Sequence, residues 1–104
     1  MPLICVLVLP PNITTHPSSQ SVNLTQTATF TCSATGYNVH YQWRRGSGRF
    51  PNHRVSGRNT DTLTITDVRS SDDNTYTCVA SNEGGSAPSN AAQLTVTGMT
   101  MMIV

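Results

Sequence analysis

The sequence contains no lysine and only one glutamate, Glu83. Both residue types are good helix formers that fill the exposed positions of most helices, so their scarcity argues against a helical protein. No stretch repeats its apolar residues at helical spacing; residues 66–73 form one helical turn at most. Threonine is abundant, and its branched β-carbon suits the solvent-facing side of a pleated sheet. The composition therefore predicts an all-β protein.

Charged residues are also few, at 11% of the sequence with a net charge of +1. Residues 1–43 contain none of them, and every acidic residue follows Arg58. The near-zero total charge argues against nucleic-acid binding, and the one basic stretch has no interleaved aromatic residue except Phe50. We therefore expect no nucleic-acid partner.

No apolar run is long enough to cross a membrane. The longest one near the start, residues 3–9, is far shorter than the roughly 20 residues that a spanning helix needs. It lacks a preceding basic residue and a small-residue cleavage site, so it is also a poor secretion signal. We interpret residues 1–10 as an apolar lead-in, residues 11–97 as one domain and residues 98–104 as a tail.

Motifs for metal binding and catalysis are missing. The histidines His16, His40 and His53 are scattered, and no two cysteines have the spacing of a zinc site. Residues 71–74 are acidic but lack the ligand spacing of a calcium loop. There is neither a Gly-x-Ser-x-Gly elbow nor a pair of acids at patterned buried positions. We expect no cofactor, no metal and no enzymatic activity.

Residues 21–34 alternate between apolar and polar side chains, which is the period of a strand with one buried face. Similar alternation recurs in four later runs, and stretches rich in Gly, Asn, Asp and Ser separate them. The inward positions are Val22, Leu24, Ala28, Phe30, Cys32, Ala34, Val39, Tyr41, Trp43, Leu63, Ile65, Tyr76, Cys78, Ala80, Ala92, Leu94 and Val96. Short alternating strands of this kind predict an antiparallel sandwich or barrel.

The chain has three cysteines, an odd number. Cys32 and Cys78 both fall at inward positions, and a bridge between them would close a loop that stabilises the domain by roughly 4 kcal/mol in the chain-entropy model. Trp43, on the next inward strand, could pack against that bridge. Cys5 is then left without a partner inside the domain.

In order and spacing, Cys32, Trp43, Leu63, Ile65, Asp72, Tyr76 and Cys78 resemble the signature of the immunoglobulin fold. The resemblance implies a two-sheet antiparallel sandwich with an inter-sheet disulfide between the two patterned cysteines. It implies that Tyr76 is a tyrosine corner and that Arg54 pairs with Asp72. Both the I-set and a short V-like class fit the pattern. The lead-in then resembles a junction between tandem domains or the remnant of a signal.

Domains of this family imply an extracellular, non-enzymatic recognition or cell-adhesion module from a longer cell-surface or matrix protein. Its partners would be another protein, including a second copy of itself, and neighbouring immunoglobulin-like domains. The alternatives are a structural spacer and an ectodomain piece of a receptor tyrosine kinase. Tyr37, Arg49 and Phe50 are the candidate partner-binding residues, since exposed aromatic residues and arginines often dominate interfaces.

Two further features bear on the surface. Asn12 and Asn23 each begin an N-glycosylation sequon, and the alternation around Asn23 directs it to solvent. Residues 44–54 are rich in arginine and predict either a basic patch for glycosaminoglycans or another acidic partner, or a solvated hairpin that uses Arg54 internally. We favour the hairpin, because alternation directs Arg44 outward and Arg45 inward or to the rim, so the arginines need not share a face.

Overall fold

The structure is a computed structural model that describes residues 7–98. Its elements are ten β-strands and one short 3₁₀ turn, arranged in two layers. The strands are β1 (Asn12–Thr15), β2 (Gln20–Asn23), β3 (Ala28–Thr31), β4 (Ser33–Thr35), β5 (His40–Arg45), β6 (Val55–Ser56), β7 (Thr62–Ile65), β8 (Asn74–Asn82), β9 (Gly85–Pro88) and β10 (Ala92–Thr97), and the turn is Ser70–Asp72.

The first layer has the strand order β2-β10-β8-β5, with β9 also paired to β8. The long strand β8 lies at its centre and pairs antiparallel with β5, β9 and β10. The pairing of β2 with β10 is parallel. Since β5 is the last strand in this order, the residues that follow it lie at an edge of the layer.

The second layer consists of β1 paired with β4, and of β3, β7 and β6 in that order. Only Cys32 separates β3 from β4, and its backbone N–H donates to the carbonyl of Asp61 at 2.9 Å. The two strand groups are therefore continuous segments of one layer. β1 belongs to this layer whereas β2 belongs to the other, so the chain changes layers between them.

The core lies between the layers and contains most of the residues that the alternation directs inward, together with Val68. Leu24, Ala34 and Val39 were also predicted inward, but they are half-buried and lie outside this core. The fully buried side chains include Phe30, Leu63, Ile65, Val68, Tyr76 and Leu94. A disulfide joins Cys32 to Cys78 across the core, with their Cα atoms 6.4 Å apart. Trp43 lies opposite Cys78 in the register of β5 and β8, so the indole and the cystine belong to one buried cluster.

The predicted all-β sandwich is confirmed, including the single helical turn at Ser70–Asp72. Gln26 is the polar residue that interrupts the apolar positions of residues 21–34, and it lies in a turn. The backbone N–H of Gln26 donates to the carbonyl of Asn23 at 3.1 Å, and Thr25 has a φ of 74°. The parallel pairing of β2 with β10 was not predicted, because strand partners at opposite ends of a chain leave no local pattern. Within residues 7–98, no helix is long and apolar enough to cross a membrane.

Candidate interaction surfaces

Arg54 and Asp72 form the expected ion pair, with Arg54 Nη1 at 2.8 Å from Asp72 Oδ2. The same guanidinium nitrogen donates to the carbonyl of Asp67 at 3.0 Å. Asp72 is 1% exposed and also accepts the backbone N–H of Arg69 at 2.8 Å. The hydrogen bond to Asp72 raises the pKa of Arg54, so the guanidinium keeps its charge. The ion pair therefore connects the start of β6 to the 3₁₀ turn.

Tyr76 has the geometry of a tyrosine corner. Its hydroxyl donates to the carbonyl of Asp72 at 2.8 Å, and its ring lies 5.3 Å from that of Phe30, centroid to centroid. Burial raises the pKa of Tyr76, since the ionised phenolate would lose the hydrogen bond and its hydration. Ion pair and hydroxyl therefore stabilise the same turn, and neither is available to a ligand.

The raised pKa of Tyr76 predicts a loss of stability in alkali. Because the folded pKa exceeds the unfolded value of about 10, this contribution is fully present below about pH 10 and is lost as the pH rises through the folded pKa. We expect Tyr76→Phe to lower the free energy of unfolding by roughly 1–2 kcal/mol at pH 7 and to make its decline above pH 10 shallower. Urea unfolding from pH 7 to 11 measures both; an equally steep decline in the variant would contradict the assignment.

Tyr37 lies at the end of the sandwich where the lead-in enters, which we call the entry pole and define by residues 7–10, 12 and 35–37. These residues line an open groove of about 680 Å³. Leu7, Leu9 and Tyr37 are 80%, 66% and 69% exposed, and they are the large apolar side chains that stand out in solvent within the described residues. The entry pole is thus an apolar surface built from two distant parts of the sequence.

The β8–β9 turn holds the lead-in beside residues 35–37 at the entry pole. Asn82 Nδ2 donates to the carbonyls of Leu9 at 2.9 Å and Tyr37 at 3.0 Å. A Cβ atom on Gly84 would lie 2.3 Å from the carbonyl oxygen of Val8, so only glycine fits this approach. Neither role was predicted from the sequence, although residues 82–85, Asn-Glu-Gly-Gly, have the composition of a turn.

Arg49 and Phe50 lie beyond the other end of β5, in the β5–β6 loop. Arg49 is exposed, as expected. Phe50 differs from the expectation of a free anchor: it is half-buried against the core, its ring is 6.0 Å from that of Tyr76, and Arg58 covers it at 5.6 Å. Phe50 is half-buried because the β5–β6 loop folds back over the edge of the core.

The three candidate binding residues therefore do not form one surface. Tyr37 precedes β5, whereas Arg49 and Phe50 follow it. A six-residue strand separates its two ends by roughly 20 Å. Sequence alternation indicates which face a side chain occupies but not which loops share an end of the sandwich, so each end is a separate candidate.

The two sequons are both exposed in the structure. Asn12 begins β1 and lines the groove of the entry pole. Asn23 ends β2, and its Oδ1 accepts the hydroxyl of Thr97 at 2.5 Å. Glycosylation at these two asparagines stays a prediction. Within residues 7–98, no three His, Cys, Asp or Glu side chains come close enough together to hold a metal ion.

The two-layer sandwich, the cystine between its layers and the tyrosine corner define a domain of the immunoglobulin type. The family model described as "Immunoglobulin domain" matches residues 10–82. The chain belongs to this family, whose domains are non-catalytic modules. A buried disulfide persists in oxidising compartments, in agreement with an extracellular location.

Curated relatives are long proteins of which this chain corresponds to a small part. Human Roundabout homolog 1 is 38% identical over 82 residues, which cover 78% of this chain and 5% of that protein. Human protein turtle homolog B is 39% identical over 94 residues, which cover 84% of this chain and 7% of that protein. The chain thus spans well under a tenth of the length of these relatives.

Solved structures with the same fold include tandem domains. The N-terminal Ig1-2 module of the Drosophila receptor protein tyrosine phosphatase DLAR superimposes with a TM-score of 0.78 at 28% identity, covering 89% of this chain and 48% of that one. The titin domains z1z2 superimpose with a TM-score of 0.75 at 27% identity, covering 92% of this chain and 52% of that one. The match in each case spans about half of the solved chain.

Proposed function

We propose that this chain is a non-enzymatic recognition or cell-adhesion module within a longer extracellular protein, held at the cell surface or in the matrix. Membership of the immunoglobulin family supports a binding role, since the fold offers loops on a rigid sandwich and no catalytic group. The similarity to Roundabout homolog 1 and protein turtle homolog B supports a longer protein.

The observation that carries this proposal is the apolar entry pole. Leu7, Leu9 and Tyr37 are exposed side by side, and Asn82 fixes the backbone of Leu9 and Tyr37. Contiguous exposed apolar surface is unusual on a domain that works alone, and it marks a protein contact. A held backbone lowers the entropy lost on binding. The occupant is another protein surface: a neighbouring immunoglobulin domain, a partner, or a second copy of this chain.

The spacer role is a second candidate, favoured by the position of the entry pole at the lead-in. A preceding domain docked there would cover the apolar surface and hold the pair at one angle. That the domain comes from the ectodomain of a receptor tyrosine kinase stays a prediction. In that case the kinase activity would belong to another domain of the same protein.

Substitution of Tyr37 tests the entry pole as a recognition surface. The chain, made bivalent on beads, is measured for bead–bead aggregation and for binding to a panel of cells. We expect Tyr37→Ser to weaken binding roughly tenfold or more, because exposed aromatic residues contribute most at interfaces. Thr31→Ala, at an exposed position of β3 outside the entry pole, is the control and should leave binding unchanged.

The readouts separate the alternatives. Bead aggregation that Tyr37→Ser abolishes indicates homophilic adhesion, whereas cell binding without aggregation indicates a different partner. If the folded wild-type chain shows neither bead aggregation nor cell binding, the recognition role is overturned and the spacer role remains. Unfolding transitions verify that the wild type and both variants are folded. Equal effects of the two substitutions would exclude the entry pole as the binding surface.

A further inference from the structure

Four arginines converge on one open groove beside the edge strand β5. We call it the arginine groove; it has a volume of about 470 Å³. Its lining comprises Trp43, Arg44, Arg45, Gly48, Arg49, Phe50, Asn52 and Arg58. The predicted alternation holds, since Arg44 is exposed and Arg45 is half-buried, yet both contribute to the lining of this groove. Arg45 and Arg54 are the arginines of the stretch that make internal contacts.

Hydrogen bonds from the backbone and from side chains assemble this groove from separated residues. The backbone N–H of Trp43 donates to the carbonyl of Arg58 at 2.8 Å, and Trp43 Nε1 donates to the carbonyl of Thr60 at 2.8 Å. Arg45 Nη1 donates to the carbonyl of Arg49 at 2.6 Å. These bonds hold both the β5–β6 loop and the segment around Arg58 against β5, so the four arginines line one groove in the folded state.

No carboxylate neutralises the groove. None of its lining residues is acidic, and within residues 7–98 the ion pairs are Arg54–Asp72 and Arg69–Asp67, both outside it. Four like charges in one small groove raise the local potential well above what the net charge of +1 indicates. Such a surface attracts anions.

The arginines differ in what they can offer a ligand. Arg45 is committed, since its Nη2 also donates to the carbonyl of Ser71, and it contributes charge. Arg58 lies over Phe50 and presents one face of its guanidinium. Arg44 and Arg49 are exposed, with no hydrogen bond from either guanidinium among the described residues. Their planar donor forks fit sulfate or carboxylate groups with two parallel bonds.

We propose that the arginine groove binds a sulfated polysaccharide, with Arg44 and Arg49 as its principal contacts. An acidic peptide is the weaker fit, because a peptide needs an apolar anchor and Phe50 is already enclosed between Tyr76 and Arg58. A shallow groove that is open to solvent and lined by charge suits a hydrophilic chain bearing repeated anionic groups. This ligand is additional to the protein contact at the entry pole.

Binding of the folded chain to a heparin-derived oligosaccharide tests the proposal. We expect Arg44→Gln and Arg49→Gln each to weaken binding roughly threefold to tenfold. Arg69→Gln is the matched control, since it removes the same charge from an exposed arginine outside the groove and should change binding little. Affinity should fall as ionic strength rises through about 0.1 M, where the screening length is near 10 Å. Thermal unfolding verifies that each variant is folded.

Three results would overturn the proposal: no oligosaccharide binding by the folded wild type, an equal loss from Arg69→Gln, or undiminished binding after removal of the sulfates. A poly-glutamate peptide that binds as tightly would assign the groove to an acidic protein segment instead. Tyr37→Ser should retain oligosaccharide binding, because Tyr37 lies beyond the opposite end of β5. Failure at the entry pole and failure at the arginine groove are therefore distinguishable.

Discussion

Replacement of both Cys32 and Cys78 by alanine is expected to lower the free energy of unfolding by about 2–5 kcal/mol. The bridge joins the two layers across a sequence separation of 46 residues, so it restricts the unfolded chain strongly. It is also fully buried beside Trp43, and alanine would leave space in the core. A domain of this size has little stability to spare.

The measurement is urea unfolding followed by tryptophan fluorescence. The parent protein and the variant with alanine at positions 32 and 78 both carry Cys5→Ser, so that no third thiol can exchange with the bridge. Mass spectrometry of the unreduced native chain, which retains Cys5, verifies the Cys32–Cys78 link. A loss of less than about 1 kcal/mol would contradict a stabilising role for the bridge, and a native link from Cys5 to either cysteine would refute the pairing.

Asp72→Asn is expected to lower the free energy of unfolding by about 2–4 kcal/mol. Removing one partner of a buried ion pair leaves the other charge without compensation; the reduction is smaller than for a fully enclosed pair because the Arg54 side chain is 17% exposed. Arg54 also has a φ of 74°, which a non-glycine residue adopts only when surrounding contacts hold it. Loss of Asp72 releases one of those contacts.

Asp67→Asn provides the matched control for Asp72→Asn. Like Asp72→Asn, it removes one carboxylate charge, but from the exposed ion pair between Asp67 and Arg69. The side chains of Arg69 and Asp67 are 64% and 50% exposed, and Arg69 Nη2 lies 3.2 Å from Asp67 Oδ2. An exposed pair contributes at most about 1 kcal/mol. Urea unfolding at pH 7 compares the two variants, and equal losses would show that burial of the Arg54–Asp72 pair is not what makes it stabilising.

Much of the fold was accessible from the sequence because it depends on local pattern. The period of two along residues 21–34 places Phe30 and Cys32 inward wherever the strand lies, since the opposite register would expose them. Tyr76 follows Asp72 by only four residues, so the corner hydroxyl reaches the backbone of the 3₁₀ turn. Phe50 could not be assigned in this way, because it lies in a loop without a period.

The sequence by itself determined the all-β class, the inward face of each strand and the residues able to join the layers, since each follows from alternation or short spacing. Only the tertiary structure decided which surfaces exist. Asn82 contacts Leu9 across 73 residues of sequence, and Arg58 lies beside Arg44 because Trp43 binds its carbonyl. Both the entry pole and the arginine groove arise from loops that the sandwich brings together, and such neighbours depend on strand order, which no local pattern encodes.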